Sequence, residues 1–200
     1  MNFDIKPYKQ RGMTCAIACM LMVLEYYKII PKATWKEERK YYRIYRSKYM
    51  DGVPLSALAW HFAKNGLETE VIHSEKNLFT NSKHTIEDSI FDQALEEYVY
   101  FLNIAKEKGT KVYSNKIINS NTIKEKLISG YMIILAGSIN ESLHAILISS
   151  LNEDKFIICD PMYKEKQEKT FKEIDEFMTT SIGKWYIAVK QMIVNYIFVL

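Results

Sequence analysis

Two cysteines four residues apart, Cys15 and Cys19, stand in an uncharged run from Met13 to Leu24, "MTCAIACMLMVL". A thiol reacts as its thiolate, and thiolate is favoured beside free backbone N–H groups and the positive end of a helix dipole. Thr14 is a good N-cap, so a helix beginning after it makes Cys15 the first helical residue. Cys15 is therefore the candidate nucleophile, against the plainer reading of a small buried hydrophobe. Cys19 lies one turn further in, on the same face, where apolar surroundings raise a thiol's pKa. It reads as core, with a redox pair to Cys15 as the sharper alternative.

A nucleophile of this kind needs a base, and the segment "LHAILISSLNEDKFIICDP" offers one. Two apolar strands flank the polar "LNED", which reads as a hairpin turn. With the turn centred on Asn152, paired positions sum to 304, and His144 faces Asp160 directly on one side of the sheet. The carboxylate would then fix the tautomer of the ring and stabilise the imidazolium. A one-residue slip would put the pair on opposite faces. The plainer reading is a histidine at a strand start and an Asp-Pro turn.

Cys, His and Asp in that order, with more than a hundred residues between the first two, fit a thiol-enzyme arrangement. An oxyanion donor would complete it. Gln10, five residues before Cys15, can supply a side-chain amide, and the Cys15 backbone N–H a second donor.

The elements that must carry these residues are visible in the hydrophobic pattern. Met13 to Lys28 reads as a helix apolar on all sides, hence buried. Lys32 to Lys48 reads as an amphipathic helix whose mixed charges form a solvated face. Val53 to Asn65 is a third helix, closed by Gly66, and "LETEVIH" (67–73) alternates as a strand does. "SEKNLFTNSKHTIED" reads as loop, and Ile86 to Lys108 as helix. "TKVYSNKIINSN" reads as a short strand and loop, followed by a helix to Ser129 capped by Asn121 or Thr122. Three strands then follow in "YMIILAG", "LHAILISS" and "KFIICD", a short helix in "TFKEIDEFM", and one or two last strands in "WYIAVKQMIVNYIFVL". Helices first and an antiparallel sheet after them indicate an α+β fold. The 200 residues read as a single domain, helical over about 1–130 and sheet over about 131–200.

Bulk properties exclude several classes. A net charge of +3, spread over the chain, does not suggest nucleic acid. Three cysteines and four scattered histidines give neither a disulfide framework nor metal-ligand spacing, and no Gly-rich phosphate loop appears, so no cofactor is expected. His61, His73 and His84 read as non-catalytic, and Trp185 and Tyr163 as core or cleft-wall aromatics. The basic start and apolar run resemble a signal peptide, but no small-residue cleavage site follows. The run is also shorter than the roughly 20 residues a membrane span needs. A reducing, cytoplasmic location is the simplest expectation.

The stretches "PYKQRGMTCAIACMLMVLEYY", "HAILI" and "ICDP" resemble the bacteriocin-processing, double-glycine-leader cysteine peptidases and their stand-alone relatives, in the papain-like superfamily. The resemblance runs from about Tyr8 through Pro161. It implies a papain-like fold with a buried nucleophile helix, Cys15 as nucleophile, His144 as general base, Asp160 as its orienting partner and Gln10 in the oxyanion hole. It also implies a peptide substrate cut after small residues, such as a precursor's leader, and a separate exporter as partner. Two positions depart from the family pattern: Ala16 follows the cysteine where Gly is usual, and Gln10 lies five residues before it rather than six. An acyltransferase using the same thioester chemistry and a non-catalytic peptide-binding module are the alternatives.

Overall fold

The structure, a computed structural model, describes residues 2–75, 88–140, 142–179 and 183–192. Four helices come early: α1 (Cys15–Tyr26), α2 (Trp35–Tyr45), α3 (Leu55–Lys64) and α4 (Asp88–Glu107). Two strands lie among them, β1 (Leu67–His73) and β2 (Lys111–Tyr113). Helix α5 (Ser120–Ile128) leads into β3 (Met132–Ile139), β4 (Ser142–Asn152), β5 (Lys155–Cys159) and β6 (Gln167–Thr170). Helix α6 (Phe171–Phe177) and β7 (Trp185–Gln191) follow. The remainder of the apolar C-terminal stretch, 193–200, and most of the loop read at 74–88 lie outside the described residues.

The seven strands among the described residues form one sheet in the order β2-β1-β7-β3-β4-β5-β6. Every pairing is antiparallel except that of β1 with β2, which is parallel. The sheet thus reaches back into the first, helical part of the chain: β7 pairs with β1 on one side and β3 on the other. Strand β6 was not expected. Its sequence, "QEKT", is polar and half exposed, as suits the edge of a sheet.

The sheet is buried on both faces. Met132, Ile134, Ala145 and Leu147 point into a core built with α1 to α4, whereas Ile133, Leu135, Ile146 and Ile148 point into a second core under α5 and α6. Burial on both sides is why these strands read as unbroken apolar runs rather than alternating ones. Helix α1 is the centre of the first core: every residue from Ala16 to Leu24 is buried.

Two caps differ from the sequence expectation. Helix α5 begins earlier, with Asn119 as N-cap in a capping box with Thr122. Thr14 does occupy the N-cap position of α1, but its side chain makes no capping bond.

Candidate active site

Cys15 opens α1 and is half-buried, whereas Cys19 and Cys159 are buried. The Thr14 hydroxyl that would ordinarily cap the first turn donates instead to Glu38 Oε1 and sits 3.4 Å from the Gly12 carbonyl. The first-turn amides of α1 are therefore left without a side-chain acceptor. Cys19 donates to the Ala145 carbonyl at 3.5 Å, which seats α1 against β4 one residue from His144. Burial pushes its thiol well above the ordinary value, and burial also pushes Cys159 up to about 11.

His144 lies near the start of β4, and its Nε2 stands 2.8 Å from Asp160 Oδ1. Cys15 and His144 border one cavity, and the Cys15 thiol is near enough to act on the ring. Burial disfavours the charged imidazole, but the bonds to Asp160 and then Cys15 outweigh it, raising the His144 pKa from 6.5 to about 9. Asp160 Oδ1 also accepts from the Met162 N–H at 2.9 Å, and the Tyr163 N–H bonds the Asp160 carbonyl at 2.9 Å. The carboxylate is thus aimed by the turn that follows it.

The hairpin register differs from the expected one. The turn is centred between Glu153 and Asp154, so that Asn152 pairs with Lys155, a sum of 307. In that register Asp160 would stand opposite Leu147 and face away from His144. A bulge between Ile148 and Ser150 lowers the sum by one, and Leu147 pairs with Cys159. Continued by one residue, this sets Asp160 opposite Ile146, on the face of His144 and diagonal to it. The extra residue is Ser149: its carbonyl accepts from the Phe3 N–H at 3.3 Å and its hydroxyl donates to the Ile157 carbonyl at 3.3 Å.

The far side of His144 is closed by α6. Gly137 pairs with His144 across β3 and β4. A Cβ on Gly137 would come within 2.3 Å of Phe177, so only glycine lets that ring approach. Phe177 meets the imidazole edge-on, with ring centroids 6.3 Å apart.

Gln10 belongs to a strap, residues 8–14, that runs into α1. Its backbone N–H donates to the Pro161 carbonyl at 2.8 Å, tying the strap to the residue beside Asp160. Its side-chain Nε2 donates to the Gly12 carbonyl at 2.6 Å, which uses one of its two hydrogens. Gln10, Cys15 and His144 all border a cavity of about 480 Å³. Ala136, Tyr98 and Trp185 line it further in, and the exposed side chains of Met13 and Leu143 form part of its rim. Size and apolar lining suit a cleft that takes part of a ligand.

The other histidines stand apart. His61 is buried with Nδ1 2.6 Å from the Tyr45 hydroxyl, and burial lowers its pKa to about 4. His73 bonds the Glu75 carbonyl at 2.8 Å, and His84 lies outside the described residues. Tyr163 is half exposed on the turn after Asp160. Among the described residues no cluster of side chains could hold a metal ion.

One residue beside the site was missed. Glu38, in the charge-rich helix read as a solvated face, is completely buried. The signal was present: Glu38, Tyr41 and Tyr45 are the buried positions of α2, and their spacing of three and four puts the glutamate on the apolar stripe.

The Peptidase_C39 like family matches residues 3–193. The chain belongs to that family. Among solved structures it is similar to a double glycine motif protease from an AMS/PCAT transporter, in complex with the leader peptide. That similarity has 14% sequence identity and a TM-score of 0.54, over 95% of this chain and 94% of that one. Family and fold are those of the papain-like cysteine peptidases. No curated protein matches the chain. No helix among the described residues is long and apolar enough to cross a membrane.

Proposed function

We propose that the protein is a cysteine peptidase that hydrolyses a peptide bond through Cys15, His144 and Asp160. The observation that carries this reading is the bond of His144 Nε2 to Asp160 at 2.8 Å, beside a cavity that Cys15 and His144 both border. His144 takes the thiol proton, and the sulfur attacks the substrate carbonyl carbon. The negative charge moves onto the carbonyl oxygen, where the Gln10 side chain and the Cys15 N–H receive it. His144 then protonates the leaving amine, and an acyl-enzyme remains. Water, deprotonated by the same imidazole, attacks the thioester and frees Cys15. Asp160 holds the ring and stabilises its charged form throughout.

The substrate we propose is a precursor peptide cut after small residues, which implies an exporter as partner. The support is the family, together with a fold shared with a protease that was solved with a leader peptide. Three free cysteines fit action in the reducing cytoplasm. We treat residues 1–200 as one peptidase domain, since β7 joins β1 of the helical part and β3 of the sheet part in one sheet.

Alkylation with iodoacetamide at neutral pH tests the nucleophile. Cys15 should be the residue modified, and Cys15→Ala should abolish both labelling and peptide cleavage. Labelling at Cys19 or Cys159 while Cys15 stays inert would sink the assignment.

A further inference from the structure

Glu38 touches none of the reacting groups, yet its carboxylate is spent entirely on the segment that carries them. Oε2 accepts from the Tyr8 hydroxyl at 2.5 Å, and Oε1 accepts from the Arg11 N–H at 3.1 Å and from the Thr14 hydroxyl. All three donors belong to the strap of residues 8–14. Among the described residues Glu38 forms no ion pair. The Arg11 guanidinium lies over the Trp35 ring, 5.9 Å from its centroid, and Arg39 lies 5.8 Å from the same ring.

A buried carboxylate is costly to desolvate, and an apolar side chain would dock α2 against α1 with less penalty. What the carboxylate adds is direction: three donors aimed at one point fix the path of the backbone between them. We propose that Glu38 is a positioning residue that sets the oxyanion-binding geometry of the strap. The inference rests on the peptidase reading above.

Two consequences of the Glu38 bonds bear on the oxyanion. The bond to Thr14 holds the residue directly before Cys15, and with it the peptide plane that carries the Cys15 N–H. The bond to the Arg11 N–H fixes the residue after Gln10, while the Gln10 N–H is itself held by Pro161. The backbone on which the Gln10 amide pivots is therefore clamped from α2 on one side and from the end of the hairpin on the other.

Two small reagents aimed at the same sulfur separate positioning from mere support. p-Nitrophenyl acetate acetylates Cys15: a sulfur–carbon bond forms, p-nitrophenolate leaves with its electron pair, and an oxyanion develops on the way. Iodoacetamide alkylates Cys15 with loss of iodide and develops no oxyanion. Both rates are taken after subtraction of the Cys15→Ala background. In Glu38→Leu the acetylation rate should fall about 10- to 100-fold, part of the loss seen when an oxyanion donor is removed outright. Alkylation should stay within about threefold, since the oxyanion donors take no part in it. Glu38→Gln should restore most of the acetylation, because its oxygen still accepts from Arg11 and Thr14 and its amide can donate to the Tyr8 hydroxyl oxygen.

Equal losses with both reagents in a folded variant, or no loss with either, would overturn the inference and leave the peptidase reading standing. Should Glu38→Leu fail to fold, Tyr8→Phe combined with Thr14→Val removes two of the three anchors at little change in volume. It must show the same selective loss, and an unchanged ratio overturns the inference. Wild-type protein in which Cys15 takes neither reagent overturns the peptidase reading and this inference with it.

Discussion

The two halves of the site are held in place by different means. The sheet half, His144 and Asp160, sits at the ends of neighbouring strands and is fixed by backbone pairing, by the turn after Asp160 and by Phe177 over Gly137. The strap half, Gln10 and the start of α1, has no regular structure before Cys15 and is held by a buried carboxylate on α2 and by the Pro161 carbonyl. In the proposed mechanism, acid–base geometry rests mainly on one hairpin and the turn after it, whereas oxyanion geometry rests on contacts between segments far apart in sequence. Mutations in the first half should act on proton transfer, and those in the second on oxyanion stabilisation.

The largest effect is expected in the sheet half. Asp160→Ala should lower kcat by about 100-fold or more, because the imidazole loses both its orientation and the charge that stabilises its protonated form. Asp160→Asn should recover part of this, since the amide oxygen still accepts from Nε2. A recovery no better than that of Ala would mean that charge, not orientation, is the main contribution. Next come the Glu38 variants described above, which should affect acetylation and spare alkylation. Gly137→Ala should be smaller in rate and larger in stability, costing about 1–3 kcal/mol as Phe177 is forced away. Urea unfolding measures the cost, and a neutral result would show that α6 yields without disturbing His144.

The smallest effect is one of pH. His144 is raised from 6.5 to about 9, so folding favours its protonated form. The stability this contributes is complete below about pH 6.5 and is lost as the pH rises through about 9. The melting temperature should therefore decline across that window, and His144→Gln should flatten the decline. An identical slope in the variant would place the titration elsewhere.

The sequence was informative where structure is local. The apolar run of α1, the alternation of β1 and the continuous strands β3 and β4 each carry their own pattern, and Thr14 marks the start of α1 even though its hydroxyl serves Glu38. The His144–Asp160 pairing was reached through the wrong register. Sums of 304 and 306 place both residues on one face, so an error of two left the faces right, while the sum of 307 at the turn would have separated them. Nothing in "LISSLNED" announces the bulge that restores the face, since its stabilising partner is Phe3, near the other end of the chain. Glu38 was hidden by its own charge: a glutamate in a run of Lys, Glu and Arg looks solvated until its three donors from residues 8–14 are in view.

The bond from the Gln10 N–H to the Pro161 carbonyl also has a bearing on synthesis. It joins positions 151 apart (161 − 10), so the cysteine is made early and its partners late. Domains fold largely as units as the chain emerges from the ribosome. A nascent chain that has released α1 but not β4 and β5 displays the Cys15 thiol without the proposed base, and the proposed site is assembled only once residue 161 has emerged.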